Sequence, residues 1–345
     1  MGLQDAGAVR QSRDAAVSGQ AELDLLGSDV SPAGTWDRTA AKRALDDLFH
    51  NAAHYRSSAA LHDLLRFVAR FRFYSPFNAM LVYTQMPGAT FVASAHRWEA
   101  EYGRRVTAVA RPLVILQPMG PVMFVFDVAD TEPVPDARRL PLDVTDPFEV
   151  LSGDIGAELE TTVENAKRDG ILVEGCAAGS QYAGSIRPAP PGTLRFQVRT
   201  RRGSPPTFVE VLRRYHILLS GTLSREARYA TLVHELGHLY AGHLGTPNPA
   251  WWPDRQGLVL PVAEFEAEAI SFLVCARKGI ATSSDRYLSG YLGTHTEAPR
   301  VSLDCIMRAA GLIEQMGREP LKARTLGVSG APGSAPESIE IGTAG

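Results

Sequence analysis

Residues 231–242 read TLVHELGHLYAG, and the reading of this stretch decides how the chain is expected to fold around it. Residues four apart on an α-helix stand about 40° apart around its axis, so His234 and His238 share a face and their imidazoles can converge on one ion. Glu235, one position along, sits beside such an ion without being forced to ligate it, which suits a general base. Leu232, Val233, Leu236 and Leu239 bracket these residues, so the helix is expected to pack into a core rather than lie on the surface. Ser224 is placed to cap its start, with Glu226 in the first turn. The cofactor that this spacing calls for is Zn2+.

A catalytic zinc takes three protein ligands and keeps one position open. A longer version of the motif would supply a histidine six residues after His238, but Leu244 stands there. His243 is one residue short and reads as a residue that caps or packs at the helix end. The better source of a third ligand is the next helix, expected over 262–278, where PVAEFEAEAISFLV holds Glu264, Glu266 and Glu268 in an apolar run. Acids in such a run are costly unless partnered. Glu264 and Glu268 share a face at i,i+4 and Glu266 points elsewhere. Glu264 is therefore read as the third ligand, and Glu268 as an acceptor for a ligand imidazole one turn on. Arg277 and Lys278 in the last turn, followed by Gly279, end that helix.

Working outward, 148–168 reads as a helix, 171–173, 196–200 and 215–219 as strands, and PAPPG at 188–192 as a loop. Upstream, TEPVPDARRLPLDVTDP over 131–147 has the composition of a linker. Before it, apolar residues at helical spacing predict two helices within 37–71, interrupted near 51–58, a short buried element at 78–83 and a helix at 98–102. Two strands follow at 113–116 and 122–128, joined by a turn at 118–121. The expectation is an α+β protein: a flexible segment over 1–35, a small α+β domain over 36–135, a linker over 136–147, a metal-binding domain over 148–325 and a disordered tail over 326–345.

With 45% apolar and 21% charged residues among 345, the chain excludes the disordered and fibrous classes. A formal net charge of -3 excludes a global pull toward nucleic acid or membrane, so any such binding must be local. No apolar run approaches the roughly 18 residues of a span, and the first residues lack the apolar core of a signal peptide, so the chain reads as cytoplasmic with no membrane partner. Cys176, Cys275 and Cys305 lie far apart without paired spacing and read as reduced core thiols.

The C-terminal half resembles the zincin domains of the ImmA/IrrE and ArdC-associated metallopeptidases. The resemblance is carried by His234-Glu235-Leu236-Gly237-His238 together with Glu264, Ala267 and Glu268. It implies a gluzincin-type fold in which His234, His238 and Glu264 are ligands and Glu235 is the base. It also points to Tyr291, within YLSGYLG at 287–293, as a group to steady the oxyanion, with His295 as a further possibility. Such folds align an extended substrate along an edge strand, a role that falls to 215–220. The N-terminal half resembles the ArdC-type antirestriction domain, a single-stranded-DNA-binding module, through residues 74–106 and FVFDVADT at 124–131. In place of that family's lysine-rich turn stands VTAVAR at 106–111. The implied contacts are Arg97, Arg104, Arg105 and Arg111, interleaved with aromatic residues.

Two functions follow. One is a zinc metallopeptidase that hydrolyses a regulatory or defence-related protein, with Glu235 taking the proton from water. The other is a single-stranded-DNA-binding antirestriction or regulator-binding protein of a mobile element that uses the fold as a scaffold. An intact Glu235 favours the first, because a purely structural zinc needs no base.

Overall fold

The computed structural model describes residues 57–117, 120–135, 137, 139–140, 154–176, 183–190, 195–199 and 208–324. The flexible segment over 1–35, the first of the two helices expected within 37–71, most of the linker over 136–147, residues 148–153 of the expected 148–168 helix and the tail over 326–345 lie outside these residues, and 154–157 are described but not helical, so that helix starts later than expected.

Serine caps open the first helices. Ser57 accepts from the Ala60 N–H at the start of α1 (Ser58–Arg70), whose Leu61, Leu64, Leu65 and Val68 form one buried stripe. Ser75 does the same for α2 (Pro76–Gln85). After β1 (Val92–Ala93), Ser94 caps α3 (Ala95–Tyr102), which ends on Gly103 in the left-handed region at φ 59°. Three strands follow: β2 (Arg104–Val106), β3 (Leu113–Gln117) and β4 (Gly120–Asp127). β4 lies between β1 and β3, antiparallel to both.

The linker-like composition that begins at Thr131 does not act as a linker there. Thr131–Pro133 is strand β5, antiparallel to β2, with Arg105 opposite Glu132. The physical reason is Arg104, whose guanidinium donates to the Thr131 hydroxyl at 2.7 Å and to its carbonyl at 2.6 Å.

The second half begins with α4 (Glu158–Arg168), β6 (Ile171–Cys176), β7 (Gly184–Pro188), β8 (Arg195–Arg199), β9 (Phe208–Leu212) and β10 (Tyr215–Ser220). β10 runs between β6, to which it is parallel, and β7, to which it is antiparallel. This corrects the edge-strand expectation for 215–220. β10 is the central strand and is buried accordingly, and β7, which was not foreseen, takes the outer place. β8 and β9 pair separately.

Four helices complete the described chain: α5 (Arg225–Tyr240), α6 (Leu260–Arg277), α7 (Ser283–Thr294) and α8 (Leu303–Arg318). Ser224 caps α5 as expected, and Gly279 follows α6 with φ 78°. The helix α8 was not anticipated, although Ser302 caps it and Leu303, Ile306, Met307, Ala310 and Ile313 repeat along its buried face. The architecture is thus mixed α and β, and no helix among the described residues is long and apolar enough to cross a membrane.

One core cluster holds side chains from both halves, among them Leu61, Leu64 and Ile115 with Leu232, Leu236, Ile270 and Ile306. α6 lies at its centre, packed on α1, α5, α7 and α8. Its last residue, Arg277, is buried and pairs with Glu314 of α8 at 2.6 Å. The same guanidinium donates to the carbonyls of Val68, Phe71 and Tyr74 at 2.8, 2.7 and 2.6 Å. Those acceptors stand at and just beyond the C-terminus of α1, where carbonyls lack helical partners and a cation is favoured.

Arg277→Ala is expected to lower unfolding free energy by about 3–5 kcal/mol, because Glu314 and the α1 carbonyls are left buried without their donor. Lys167→Ala, which removes an exposed pair with Glu164, is expected to cost about 0–1 kcal/mol. Denaturant unfolding of both variants checks the contrast.

Candidate metal centre

The site begins with a close approach of α5 and α6. Gly237 has no side chain toward α6, and a Cβ there would stand 3.4 Å from both the Ala267 Cα and the Ile270 Cγ2. Small residues at a helix crossing let the backbones come together. Gly237 lies one residue before His238 and Ala267 three after Glu264, so the contact sets how far the imidazoles stand from the carboxylate.

His234 Nε2 and His238 Nε2 are 3.2 Å apart. Glu264 spans them, with one oxygen 3.6 Å from each nitrogen. One ligand atom from each of the three residues lies within 4.8 Å of the others, and among the described residues no other group of three or more His, Cys, Asp or Glu side chains meets this condition. Two imidazole nitrogens and one carboxylate fit the ligand set of a catalytic zinc, and the separations are short enough for one ion to bridge all three. The Glu264 side chain is 41% exposed against 19% and 13% for the two histidines, so the cluster opens toward solvent on the Glu264 side.

The electrostatics follow from this crowding. The His234 and His238 imidazoles beside it hold the Glu264 carboxyl well below the usual carboxylate range, against the upward push of burial. Burial works to lower the His234 pKa, but Glu264, Glu268 and Glu235 together raise it. Glu268 Oε1 lies 3.7 Å from His234 Nδ1, the ring nitrogen that does not face Glu264.

Glu235 is buried beside the cluster. Burial raises its pKa, and the two histidines and the N–H of Ile186, which donates to the carboxylate, only partly offset this. Ile186 belongs to β7, so the candidate base touches the outer strand of the sheet.

His243 and Glu266 have a larger part than the sequence suggested. Glu266 does point away from the cluster, but into a site with no solvent contact. There it accepts two hydrogen bonds from Arg255 at 2.6 and 2.8 Å, one from His243 Nε2 at 2.9 Å and one from the Ser302 N–H at 2.7 Å. His243 Nδ1 in turn lies 3.0 Å from His238 Nδ1. The signal was an acid in an apolar run that needed partners, together with a histidine five residues after His238 that was read as capping or packing at the helix end. Spacing alone did not connect them, because Arg255 arrives from the intervening loop.

Tyr291 packs its ring edge-on against Phe265 and stacks it on His295, with centroids 5.2 and 4.3 Å apart. One turn earlier on α7, Tyr287 is the tyrosine that senses the cluster: burial raises its pKa, and the Glu268 and Glu264 charges raise it further.

In the N-terminal half, Arg97 pairs with Glu101 at 2.8 Å and lies over the Tyr102 ring, and Arg104 is engaged with Thr131. Arg105 and Arg111 are exposed. The neighbouring aromatics Phe67, Phe71, Tyr74 and Trp98 are buried core residues, so they are not arranged as a stacking platform.

Gly237→Ala is expected to be tolerated, since its Cβ meets its neighbours at ordinary contact distance. Gly237→Leu overfills the crossing, with an expected destabilisation of about 1–3 kcal/mol and weakened metal binding. Thermal unfolding and metal titration of the two variants test this. Comparison with family models, with curated proteins and with solved structures finds no match for this chain.

Proposed function

We propose that the chain is a zinc-dependent peptidase. The observation that carries this reading is the convergence of His234, His238 and Glu264 on one point with the buried Glu235 carboxyl beside it. His234, His238 and Glu264 are the residues that would hold the ion. Zinc bound there supplies a Lewis acid that makes water more acidic and polarises a carbonyl.

The protein's own contributions are positioning and proton transfer. Glu235 accepts a proton from the attacking water and returns it to the departing amine nitrogen. Its raised pKa makes it a better proton acceptor than an exposed carboxylate. No described strand pairs with the outer edge of β7, so an extended peptide can add there through backbone hydrogen bonds. The Ile186 N–H contact with Glu235 places that edge next to the base. An extended backbone is thereby favoured as the substrate class. Tyr291 is the candidate donor to the developing oxyanion, and Tyr287, one turn earlier on α7, lies within electrostatic reach of Glu264 and Glu268.

Purified full-length protein is expected to bind one zinc per chain, and His234→Ala, His238→Ala and Glu264→Ala each to abolish tight binding, as read by elemental analysis after dialysis. Retention of stoichiometric zinc by Glu264→Ala would remove Glu264 from the ligand set.

Glu235→Gln is expected to keep zinc and fold while losing about a hundredfold or more of peptide hydrolysis. Cleavage of a peptide library, followed by mass spectrometry, measures it. Equal turnover by variant and wild type would eliminate Glu235 as the base.

A further inference from the structure

The described residues leave a cleft of about 540 Å³ where the two halves of the chain meet. It is lined by Gly311 and Leu312 of α8, by Phe77 of α2 and Leu116 of β3 from the N-terminal half, and by Trp251 and Trp252 from the loop after α5. The volume is that of a small-molecule site, and a junction between structural units is where such sites concentrate. Leu116, Trp251 and Leu312 are only partly buried although they pack on the main core, so the cleft presents apolar surface that the described chain leaves uncovered.

A second cavity, of about 400 Å³, adjoins the first, and Leu312 and Arg324 line both. Its character is cationic: Arg168, Lys322 and Arg324 face the two carboxylates of Asp169 and Glu319. Asp169 is buried and already engaged, with Tyr240 donating to its Oδ2 at 2.8 Å and Arg324 at 2.9 Å. Glu319 is exposed and accepts from Gln315. Among the described residues no ion pair closes on Arg168 or Lys322, and the Arg168 Nε is buried without a hydrogen-bond partner. Burial draws the Arg168 pKa down although Glu164 and Asp169 raise it, so the guanidinium has lost hydration that nearby carboxylates do not make good. A buried charged donor left unanswered is costly.

We infer that the two cavities together form a binding site for a small organic anion, with a flat apolar body in the cleft beside Leu116 and Trp251 and a carboxylate or phosphate group at Arg168 and Lys322. Charge complementarity selects the anion and sets its direction. In the cleft, Arg308 is answered by Asp304 at 2.7 Å, so the uncompensated positive charge lies at the other end. Arg324 stands at the junction, its guanidinium 5.5 Å from the centre of the Trp252 ring, and so joins the aromatic wall to the cationic pocket. Guanidinium groups suit both neighbours, because they stack on aromatic faces and bind carboxylate or phosphate oxygens in pairs. The site uses none of the candidate metal ligands and does not depend on the zinc reading.

The probe is 8-anilinonaphthalene-1-sulfonate, a flat aromatic anion whose fluorescence rises when it leaves water, titrated into the full-length protein. N-phenyl-1-naphthylamine, with the same body and no charge, is the control. One anionic probe per chain is expected, with a raised melting temperature, as binding to the folded state requires. The neutral probe is expected to bind about tenfold or more weakly. Arg168→Gln combined with Lys322→Gln is expected to remove that difference and leave the neutral probe unaffected. Leu312→Trp fills the junction and is expected to weaken both probes.

Displacement of the probe by 2-naphthoate or by 2-naphthyl phosphate supports the site and tells which anionic group it prefers, and displacement by neither overturns it. Equal affinity for the charged and neutral probes overturns the anion, as does a double variant that binds both as the wild type does. No binding, or several probes per chain with a lowered melting temperature, overturns the site. If Leu312→Trp fails to fold, the Arg168 and Lys322 double variant decides. The titration is repeated after a chelator has removed metal. Unchanged binding is expected, and its loss would assign the probe to the metal centre and overturn a separate site.

Discussion

A carboxylate with no solvent contact has to be answered by donors on every side, and Glu266 is the point at which this requirement shapes the structure. Its four hydrogen bonds come from the loop after α5, through Arg255 and His243, and from the residue that caps α8. Satisfying one buried charge therefore fixes a loop, a helix start and a histidine ring relative to α6. Arg255 is itself held by the chain it steadies, because its N–H donates to the Gly242 carbonyl and its side chain reaches the Ala241 carbonyl. Removing one partner of such a buried pair costs about 3–5 kcal/mol, whereas an apolar replacement of both partners need not be destabilising. A purely structural solution was thus open to this site, and the charged one also provides an acceptor chain that ends at a candidate ligand.

The same helix α6 answers a second geometric demand from its other face. Glu264 has to meet two imidazoles on α5 while Glu266 faces the loop and Ala267 lies under Gly237. At about 100° per residue, Glu266 lies about 200° and Ala267 about 300° around the axis from Glu264, so the three tasks take three directions within one turn. Glu268, one turn beyond Glu264, then returns to the cluster behind His234. The two candidate ligand histidines are in this way each backed by acid, His234 directly and His238 through His243. The asymmetry is a consequence of position: His238 lies near the end of α5, where the chain turns back at Gly242, φ 87°, and brings His243 beneath it.

How much of this could be read from the amino-acid order depends on the range of the interaction. The histidine spacing, the Ser224 cap and the shared face of Glu264 and Glu268 are properties of single helices, and each is found where helical periodicity placed it. What periodicity could not carry is the pairing of distant segments. The parallel match of β6 to β10 makes β10 central, and nothing in YHILLS says so except its near-continuous apolar character, which suits a strand covered on both faces. The strand β7, GSIRP, has too few apolar positions to alternate visibly. Thr131–Pro133 carries a linker's composition, yet it is drawn into a ladder by a guanidinium twenty-seven residues away. The helix α8 is different: its cap and period were legible, and its contribution to the Glu266 site is a reason to read a capped amphipathic helix as a possible partner for buried charge.

The two halves of the chain share more than a core. Arg277 ends α6, the helix that carries the candidate ligand Glu264 near its start, and its guanidinium closes the C-terminal carbonyls of α1 in the other half. A buried arginine with five possible donors can satisfy several carbonyls at once, which a lysine in the same place could not do in fixed directions. The consequence is that α1 is held to the far end of α6 by directional bonds as well as by apolar contact. The Glu314 pair adds α8 to the same junction, so α8 meets α6 twice, at Ser302 near one end and at Glu314 near the other. Two anchors along a helix pair fix both its separation and its register. For a cluster whose candidate ligand atoms stand within a few ångströms of one another, that register is what an N-terminal layer packed behind α6 can contribute.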